Sequence, residues 1–128
     1  DQAGRRTMPA VRRLRRVGVA HLRARIAQPL EPPRDWTRAN TLTCQCGRCT
    51  MLGEVLADPS RQTWTFKAAE ADRQHVEGTI HASGCDLDVV TERTGRPYTL
   101  VCIKNQASYE RRVQQRTADL AALARLED

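Results

Sequence analysis

Three cysteines within six residues are the densest group of chemically capable side chains in this sequence. Cys44, Cys46 and Cys49 form a C-x-C-x-x-C pattern that contains Gly47 and Arg48. Structural zinc takes four ligands in a tetrahedron, and thiolates that are neighbours in sequence supply several of them at little cost in loop-closure entropy. Glycine allows the backbone to bend around an ion, and a neighbouring cation favours the thiolate form of cysteine. The pattern therefore predicts a structural Zn²⁺ site.

Three thiolates leave one ligand position to be filled from elsewhere in the chain. His75 is the first candidate, because it lies beside Val76 at the edge of the apolar stripe of a predicted helix. Cys85 is the alternative fourth ligand, since it follows the end of that helix. Cys102 lies within an apolar strand and is expected to be a buried core thiol, whereas His81 is expected to be exposed. A closed site of this kind would stabilise the fold and would not activate water.

Two other interpretations of the cysteines stay open at this point. An iron–sulfur cluster would need a fourth cysteine, either Cys85 or Cys102, and exposed thiolates could instead serve redox chemistry or bind nothing. No catalytic residue is predicted. Asp86 and Asp88 alternate along a predicted strand and are expected to point to solvent. The sequence contains no Ser-His-Asp order, P-loop or dinucleotide fingerprint, so no activity is expected from this chain alone.

The elements that must position these residues follow from hydrophobic periodicity and from turn residues. Together they predict an α+β fold, a small zinc-stabilised domain with a three-stranded antiparallel sheet packed on helices, preceded by an N-terminal amphipathic helix. The sheet combines the hairpin 85–104, which turns at Gly95, with the strand 61–67. The predicted helices cover residues 8–28, 50–56 and 68–82 and the segment from residue 105 onward.

The apolar residues of these elements indicate which face each one buries. Residues 100–103 are apolar without a break, which is typical of a strand inside a sheet. The last helix is expected to turn Tyr109, Val113, Leu120 and Leu123 toward the core. The apolar stripe of the first helix consists of Val11, Leu14, Val19, Leu22 and Ile26.

The prolines that follow the first helix suggest a division of the chain. Residues 1–30 are predicted to be a basic amphipathic helix, either the tail of a neighbouring domain or a partner-binding arm. Residues 31–43 are predicted to be a linker, and residues 44–128 a zinc-binding α+β domain. Because the sequence does not begin with Met, we expect the chain to be a fragment of a longer protein.

The formal net charge of +6 favours polyanionic partners such as nucleic acid or acidic protein surfaces. The first function hypothesis is therefore an accessory or binding module whose basic surface contacts nucleic-acid phosphates without sequence specificity, because no recognisable reading helix is present. The predicted contacts are Arg93, Arg96 and Lys104 of the hairpin, with Arg111 and Arg112 of the last helix.

Two further function classes stay open. One is a protein–protein or intramolecular accessory domain of a larger enzyme, and the less supported one is a thiol redox or metal-handling protein.

No apolar run approaches the ~20 residues of a membrane span, and no signal peptide is visible, so no membrane partner is expected. Five cysteines suit a metal site better than a disulfide framework, which favours a cytoplasmic location.

A resemblance covers about two-thirds of the chain, from about residue 35 to residue 128. The cysteine pattern, the sequence ADRQHVE around His75 and the sequence CDLDVVTERTGRPYTLVCIKNQASYERR from Cys85 carry it. These residues resemble an uncharacterised Cys-containing C-terminal segment of large bacterial and plant proteins, some of them 2-oxoglutarate/Fe(II) dioxygenase-like. The resemblance implies an accessory C-terminal module. The dioxygenase signature, His-x-Asp with a distant second His, is absent, so the resemblance implies no such activity for these residues.

Overall fold

The computed structural model describes residues 2–127, and for residues 2–8 it gives the course of a helix but not the surroundings of the side chains. The described residues form four helices and three strands, which confirms the predicted α+β class. None of these helices is both long enough and apolar enough to cross a bilayer. The elements are α1 Gln2–Ile26, α2 Gly47–Ala57, β1 Thr63–Lys67, α3 Glu70–Ser83, β2 Leu87–Glu92, β3 Thr99–Lys104 and α4 Ala107–Glu127.

The chain groups into two compact units. The first unit consists of Asp1–Glu31 and Tyr109–Asp128, and the second consists of Pro32–Ser108. The segment 32–43 belongs to the second unit, where the amide of Trp36 donates to the carbonyl of Pro59 at 2.9 Å. This segment is thus an ordered part of the unit that contains the cysteines. The domain boundaries expected at residues 30 and 43 stay predictions about independently folding parts.

The three strands form the predicted antiparallel sheet, in the order β1-β3-β2. β3 pairs with both neighbours, so that Cys102 lies opposite Trp64 on one side and opposite Val89 on the other. The connection 93–98 joins β2 to β3 and contains a cis peptide bond between Arg96 and Pro97. The strand with the uninterrupted apolar run is therefore the central one, as the sequence predicts.

The hydrophobic core lies on one face of the sheet, against α2 and α3. The side chains of Leu100 and Cys102 project into it from β3, and Trp64 stacks on Phe66 with 5.3 Å between ring centroids. The opposite face is more open, since Val90 of β2 is 57% exposed. The residues of the core with no exposed surface are Leu52, Leu56, Val76, Leu100 and Cys102.

α3 begins and ends at positions that its sequence favours. Glu70 and Asp72 lie in its first turn, where negative charge stabilises the positive end of the helix dipole. Gly84 ends the helix in the left-handed conformation, with φ of 65°, and its amide donates to the carbonyl of Ile80 at 3.1 Å. The helix therefore ends one residue beyond the predicted end at residue 82.

The apolar faces predicted for α1 and α4 are only partly buried. Leu22 is buried, but Val11 and Leu14 are 60% and 73% exposed. On α4 the expectation for Val113 and Leu120 was wrong, because both side chains are exposed. An apolar stripe indicates which side of a helix is favoured for burial. Each turn of that side is buried only where another element packs against it.

The buried residue of α4 is Asp119, which is 4% exposed and pairs with Arg25 of α1. Arg25 Nε donates to Asp119 Oδ2 at 2.9 Å, Arg25 Nη2 donates to Oδ1, and Gln115 Nε2 donates to Oδ1 at 2.8 Å. The hydrogen bonds from Arg25, with a smaller contribution from Gln115, hold the pKa of Asp119 below its ordinary value of 3.8. A carboxylate thus joins the two helices of the first unit.

We expect Asp119→Asn to destabilise the first unit at neutral pH but to change little in strong acid. Because folding lowers the pKa of Asp119, its stabilisation is complete above the ordinary value of 3.8 and is lost as the pH falls through the lower folded value. Thermal unfolding of both proteins at a series of pH values measures the difference, which should shrink in that window. Glu110→Gln, an exposed acid on the same helix, is the matched control. A difference that does not depend on pH would contradict the assignment.

Candidate metal centre

Four side chains from two helices and the segment before them meet at one point. Cys44, Cys46, Cys49 and His75 each offer one ligand atom, and these four atoms lie within 4.8 Å of one another. The Nε2 atom of His75 is 3.4 Å from Cys44 Sγ, 3.6 Å from Cys46 Sγ and 3.7 Å from Cys49 Sγ. The residues that the sequence nominates for a metal site are therefore brought together.

These distances match the edges of a zinc tetrahedron. With Zn–S of about 2.3 Å and Zn–N of about 2.0–2.1 Å, the sulfur–nitrogen edge of a regular tetrahedron is about 3.6 Å. The three nitrogen–sulfur distances, 3.4, 3.6 and 3.7 Å, lie on both sides of that value. The nitrogen–sulfur spacing of the Cys3His group is therefore that of a tetrahedral metal site.

The start of α2 sets the positions of two of the sulfurs. Cys46 is the residue before the helix, with φ of −64° and ψ of 164°, and its Sγ accepts a hydrogen bond from the amide of Cys49 at 3.4 Å. Gly47 is the first helical residue, and Gly84 is the one described residue with a positive φ. The chain thus turns at Cys46 into the first turn of α2, and the amide of Cys49 is the group that donates to sulfur.

The position of His75 follows from the period of α3. Val76 is fully buried in the core, and the neighbouring His75 is exposed on the side of the helix that meets the cysteines. A second contact joins the same two helices, because Arg48 of α2 pairs with Asp72 of α3 at 3.2 Å. An ion bound by these ligands would therefore clamp α2 to α3 directly above the core.

The pKa values of the cysteine thiols also indicate that a bound cation would stabilise the group. The hydrogen bond from the amide of Cys49 lowers the pKa of Cys46 to about 6, whereas burial raises the pKa of Cys49 to about 11. Neighbouring thiolates repel one another, so the three sulfurs do not all ionise near neutral pH by themselves. A divalent metal removes this repulsion and makes the fully deprotonated set favourable.

The other proposed ligands lie elsewhere. Among the described residues, Cys85 and Cys102 are not members of the metal-ligand group. Cys102 is buried in the core and Cys85 packs against it, and burial raises the pKa of both thiols, that of Cys102 to about 12. His81 is 3.7 Å from Glu77, one turn earlier on α3. The geometry therefore favours His75 over a fourth cysteine, and a zinc-type site over an iron–sulfur cluster.

The predicted nucleic-acid contacts have different surroundings. Arg93 and Arg96 are exposed at the turn between β2 and β3, and Arg96 lies over the ring of Tyr98 at 5.8 Å. Arg111 and Arg112 are exposed on α4, and Arg112 Nη2 donates to the carbonyl of Pro29 at 2.9 Å. The four arginines thus lie at the surface, and Arg111 and Arg112 have partners among the described residues.

The prediction that Lys104 contacts nucleic acid at the surface was wrong. It is only 3% exposed, and its Nζ donates to the carbonyl of Asp58 at 2.9 Å, so it does not offer its charge to a phosphate backbone at the surface. In β3 it lies on the same face as Leu100 and Cys102, because side chains two residues apart project to the same side of a strand. Its buried position is thus a consequence of strand alternation.

Asp86 also departs from its predicted orientation. Its carboxylate is buried and accepts hydrogen bonds from the amide of Ser108 at 2.9 Å and from the Ser108 hydroxyl. Asp86 precedes β2 and so is not subject to the alternation of the strand, whereas Asp88 is exposed as expected. Its function is structural, since it satisfies an amide at the start of α4 that has no partner within the helix.

One basic residue near the hairpin was not predicted from the sequence. Arg73 of α3 lies over the ring of Tyr98 at 5.2 Å, and its Nε donates to the carbonyl of Ala68 at 2.9 Å. Its position could have indicated this, because Arg73 lies in the first turns of a helix that precedes the hairpin, and such a helix can meet the turn of the hairpin.

Comparison of the chain with protein-family models, curated proteins and solved structures finds no match.

Proposed function

We propose that this protein is a zinc-stabilised binding module whose Cys3His centre is structural. The convergence of His75 Nε2 on three sulfurs at tetrahedral spacing is the observation that carries the proposal. Protein side chains occupy all four positions, which leaves no open site for water or substrate, and a zinc ion with four protein ligands stabilises a fold but does not catalyse. Zn²⁺ suits a set of three thiolates and one imidazole better than Mg²⁺ or Ca²⁺, which prefer oxygen.

The second part of the proposal is contact with nucleic-acid phosphates through the turn between β2 and β3. Arg96 of the turn and Arg73 of α3 lie over the ring of Tyr98, and Arg93 lines a cavity with Arg73 and Tyr98 at this end of the sheet. Planar guanidinium groups bind phosphate oxygens well, and stacking on the tyrosine ring orients two of them. Contacts of this kind recognise the nucleic-acid backbone and not the base sequence, so binding should be general and sensitive to salt.

Salt dependence and a double substitution test the contact surface. In fluorescence-anisotropy titrations with DNA and RNA oligonucleotides of unrelated sequence, we expect similar affinities that fall steeply as salt rises. Arg93→Gln with Arg96→Gln should reduce the slope of log K against log salt by about two, because each lost phosphate contact releases about one counterion fewer. The control is Arg12→Gln with Arg16→Gln, which removes the same charge from exposed positions on α1.

The outcomes separate the two parts of the proposal. A greater loss in the α1 variant would place the binding surface on the N-terminal helix, and a flat salt response would remove nucleic acid as the partner. Neither result would affect the metal centre, which is tested by its metal content. In both cases the chain would retain the alternative role of an accessory domain that binds protein, which the exposed Val11 and Leu14 of α1 favour. The cytoplasmic location stays a prediction from the cysteines.

A further inference from the structure

The second unit contains a cavity unrelated to the metal centre. It has a volume of about 430 Å³, within the range of small-molecule sites. The segment before α2 forms one wall, and the connection between β3 and α4 forms the other. The lining residues are Pro33, Arg34, Asp35, Trp36, Arg38, Lys104, Asn105 and Gln106.

Two of the cations that line this cavity are almost completely buried. Arg38 is 7% exposed and Lys104 is 3% exposed, although Arg and Lys are among the residues least often buried without a partner charge. Their polar contacts are backbone carbonyls. Arg38 Nε donates to Asn105 O at 2.6 Å, Arg38 Nη1 donates to Asp35 O at 2.9 Å and to Thr37 O at 3.0 Å, and Lys104 Nζ donates to Asp58 O at 2.9 Å.

These contacts fix the positions of the two side chains. They do not use every N–H donor, and they do not neutralise the two positive charges. Among the described residues no fully buried side-chain polar atom lacks a partner, so Arg38 Nη2, which donates no hydrogen bond, still reaches solvent, and Lys104 Nζ uses one of its three N–H groups. A carbonyl accepts a hydrogen bond but does not cancel a charge. Burial lowers the pKa of Lys104, with the neighbouring Arg38 acting in the same direction, and the acids Asp58 and Asp35 oppose this only in part. An additional negative charge at this place would therefore be stabilised.

The charges around the cavity are predominantly positive. Besides Arg34, which has a partner of its own, its lining contains two basic residues, Arg38 and Lys104, and a single acid, Asp35, whose Oδ1 already accepts from the amide of Thr37 at 2.9 Å. Trp36 is half-buried, and the guanidinium of Arg38 lies 5.3 Å from the centroid of its ring. The indole adds a flat apolar wall beside the buried cations. The cavity thus combines a cationic end with an aromatic surface, which are complementary to an anionic group attached to a planar body.

We propose that this cavity binds a small organic anion, with a carboxylate or phosphate group toward Arg38 and Lys104 and a flat body against Trp36. A purely structural role would explain the hydrogen bonds to the carbonyls. It would not explain why two buried side chains that serve this role both carry a charge. The proposal does not depend on nucleic-acid binding or on the identity of the metal.

A titration followed by ¹H–¹⁵N NMR tests the proposal on the full, zinc-loaded chain in a buffer low in chloride. The probes are benzoate, phenyl phosphate and the neutral benzamide. We expect both anions to shift the amides of residues 33–38 and 104–106 and the indole N–H of Trp36, with saturation in the millimolar range or below. The indole of Trp64, which is 4% exposed in the core, is the internal control and should not move. Tighter binding of phenyl phosphate would identify a phosphate ligand, and tighter binding of benzoate a carboxylate.

Lys104→Met tests the charge, because methionine retains an unbranched apolar side chain but has no ammonium group. We expect it to weaken binding of the preferred anion at least about tenfold, since hydrogen bonds to charged groups are the stronger ones. Lys67→Met removes the same ammonium group from an exposed position on β1 and should leave the affinity unchanged. Equal shifts with benzamide, shifts at the β2–β3 turn without shifts at the cavity, or no saturable shift of the cavity amides with either anion would overturn the proposal. These comparisons use the wild-type chain and remain decisive if Lys104→Met does not fold.

Discussion

Cys49→Ser is expected to abolish stoichiometric metal binding and to unfold most of the Pro32–Ser108 unit. Cys49 is the most buried of the three ligand cysteines, at 1% exposure, and it lies at the start of α2 beside the core. Apparent binding free energies of structural zinc are roughly 10–16 kcal/mol in zinc-finger peptides, and whole domains are stable by only about 5–15 kcal/mol. Loss of the ion therefore removes a contribution as large as the net stability of the unit.

Metal content and far-ultraviolet circular dichroism of the purified protein provide the measurement. Wild-type protein should contain close to one zinc per chain and should lose its cooperative thermal transition when a chelator removes the metal. His75→Asn should behave like Cys49→Ser, because it removes another of the four ligands. The matched controls are Cys85→Ser and His81→Asn, which change a thiol and an imidazole outside the metal-ligand group.

The outcomes of these substitutions are distinct. If Cys85→Ser lost the metal and His75→Asn retained it, the fourth ligand would be Cys85 and the arrangement seen at His75 would be incidental. A wild-type protein that contains no metal and still unfolds cooperatively would contradict a structural site altogether. Retention of about one equivalent in both controls, with loss in both ligand variants, would establish the Cys3His set.

Leu100→Ala is expected to destabilise the second unit by about 2–5 kcal/mol, the range for leucine in a well-packed core. Leu100 has no exposed surface, and it lies on the central strand, opposite Phe66 of β1 and Thr91 of β2. Truncation leaves a cavity between the sheet and its two covering helices. Because the chain has few aromatic side chains to fill such a space, the structure has little capacity to collapse around it.

Urea unfolding of the zinc-loaded protein measures this loss as a decrease in the transition midpoint. Val90→Ala is the matched control, because Val90 is on the opposite face of the sheet and is 57% exposed. Its effect should stay within about 0.5 kcal/mol, as is usual for surface substitutions. Comparable destabilisation by the two variants would show that the second face of the sheet is also covered in solution, contrary to the structure.

The sequence was sufficient to predict which side chains form the Cys3His group, because the signals for this group are local. Three cysteines close together can meet around one ion whatever the rest of the fold does. His75 was predictable from the period of α3, since the burial of Val76 fixes the direction of its neighbour. The strand order followed from the apolar run of β3, which suits the central position of a sheet.

Two of the errors arose where a residue was assigned by its type and not by its position. Lys104 was placed at the surface because it is charged, although the alternation that buries Leu100 and Cys102 also buries Lys104. On α4, Leu120 was assigned to the core because it is apolar, whereas Asp119 is the buried residue, through its pairing with Arg25. Such a pairing depends on contact between two distant segments, and no short-range pattern indicates it.

The segment before α2 could not be predicted for another reason. Residues 32–43 have neither a helical nor a strand period, so the sequence indicated only a linker. Their packing depends on single contacts, such as the amide of Arg38 with the carbonyl of Leu56 at 2.7 Å. Asn40 also approaches α2 so closely that a Cβ on Gly53 would be 2.5 Å from its Nδ2 atom. The small size of Gly53 is a tertiary requirement that has no signature in its neighbours.

The order of the metal ligands along the chain has a consequence for biosynthesis. All four ligands precede β2 and β3, so a growing polypeptide has the complete donor set before its central strand has been translated. Capture of an ion at that stage would close the loop between Cys49 and His75 and would hold α2 beside α3 early. The late hairpin would then dock on a surface that already exists, and the entropy of bringing distant segments together would be lower at that step.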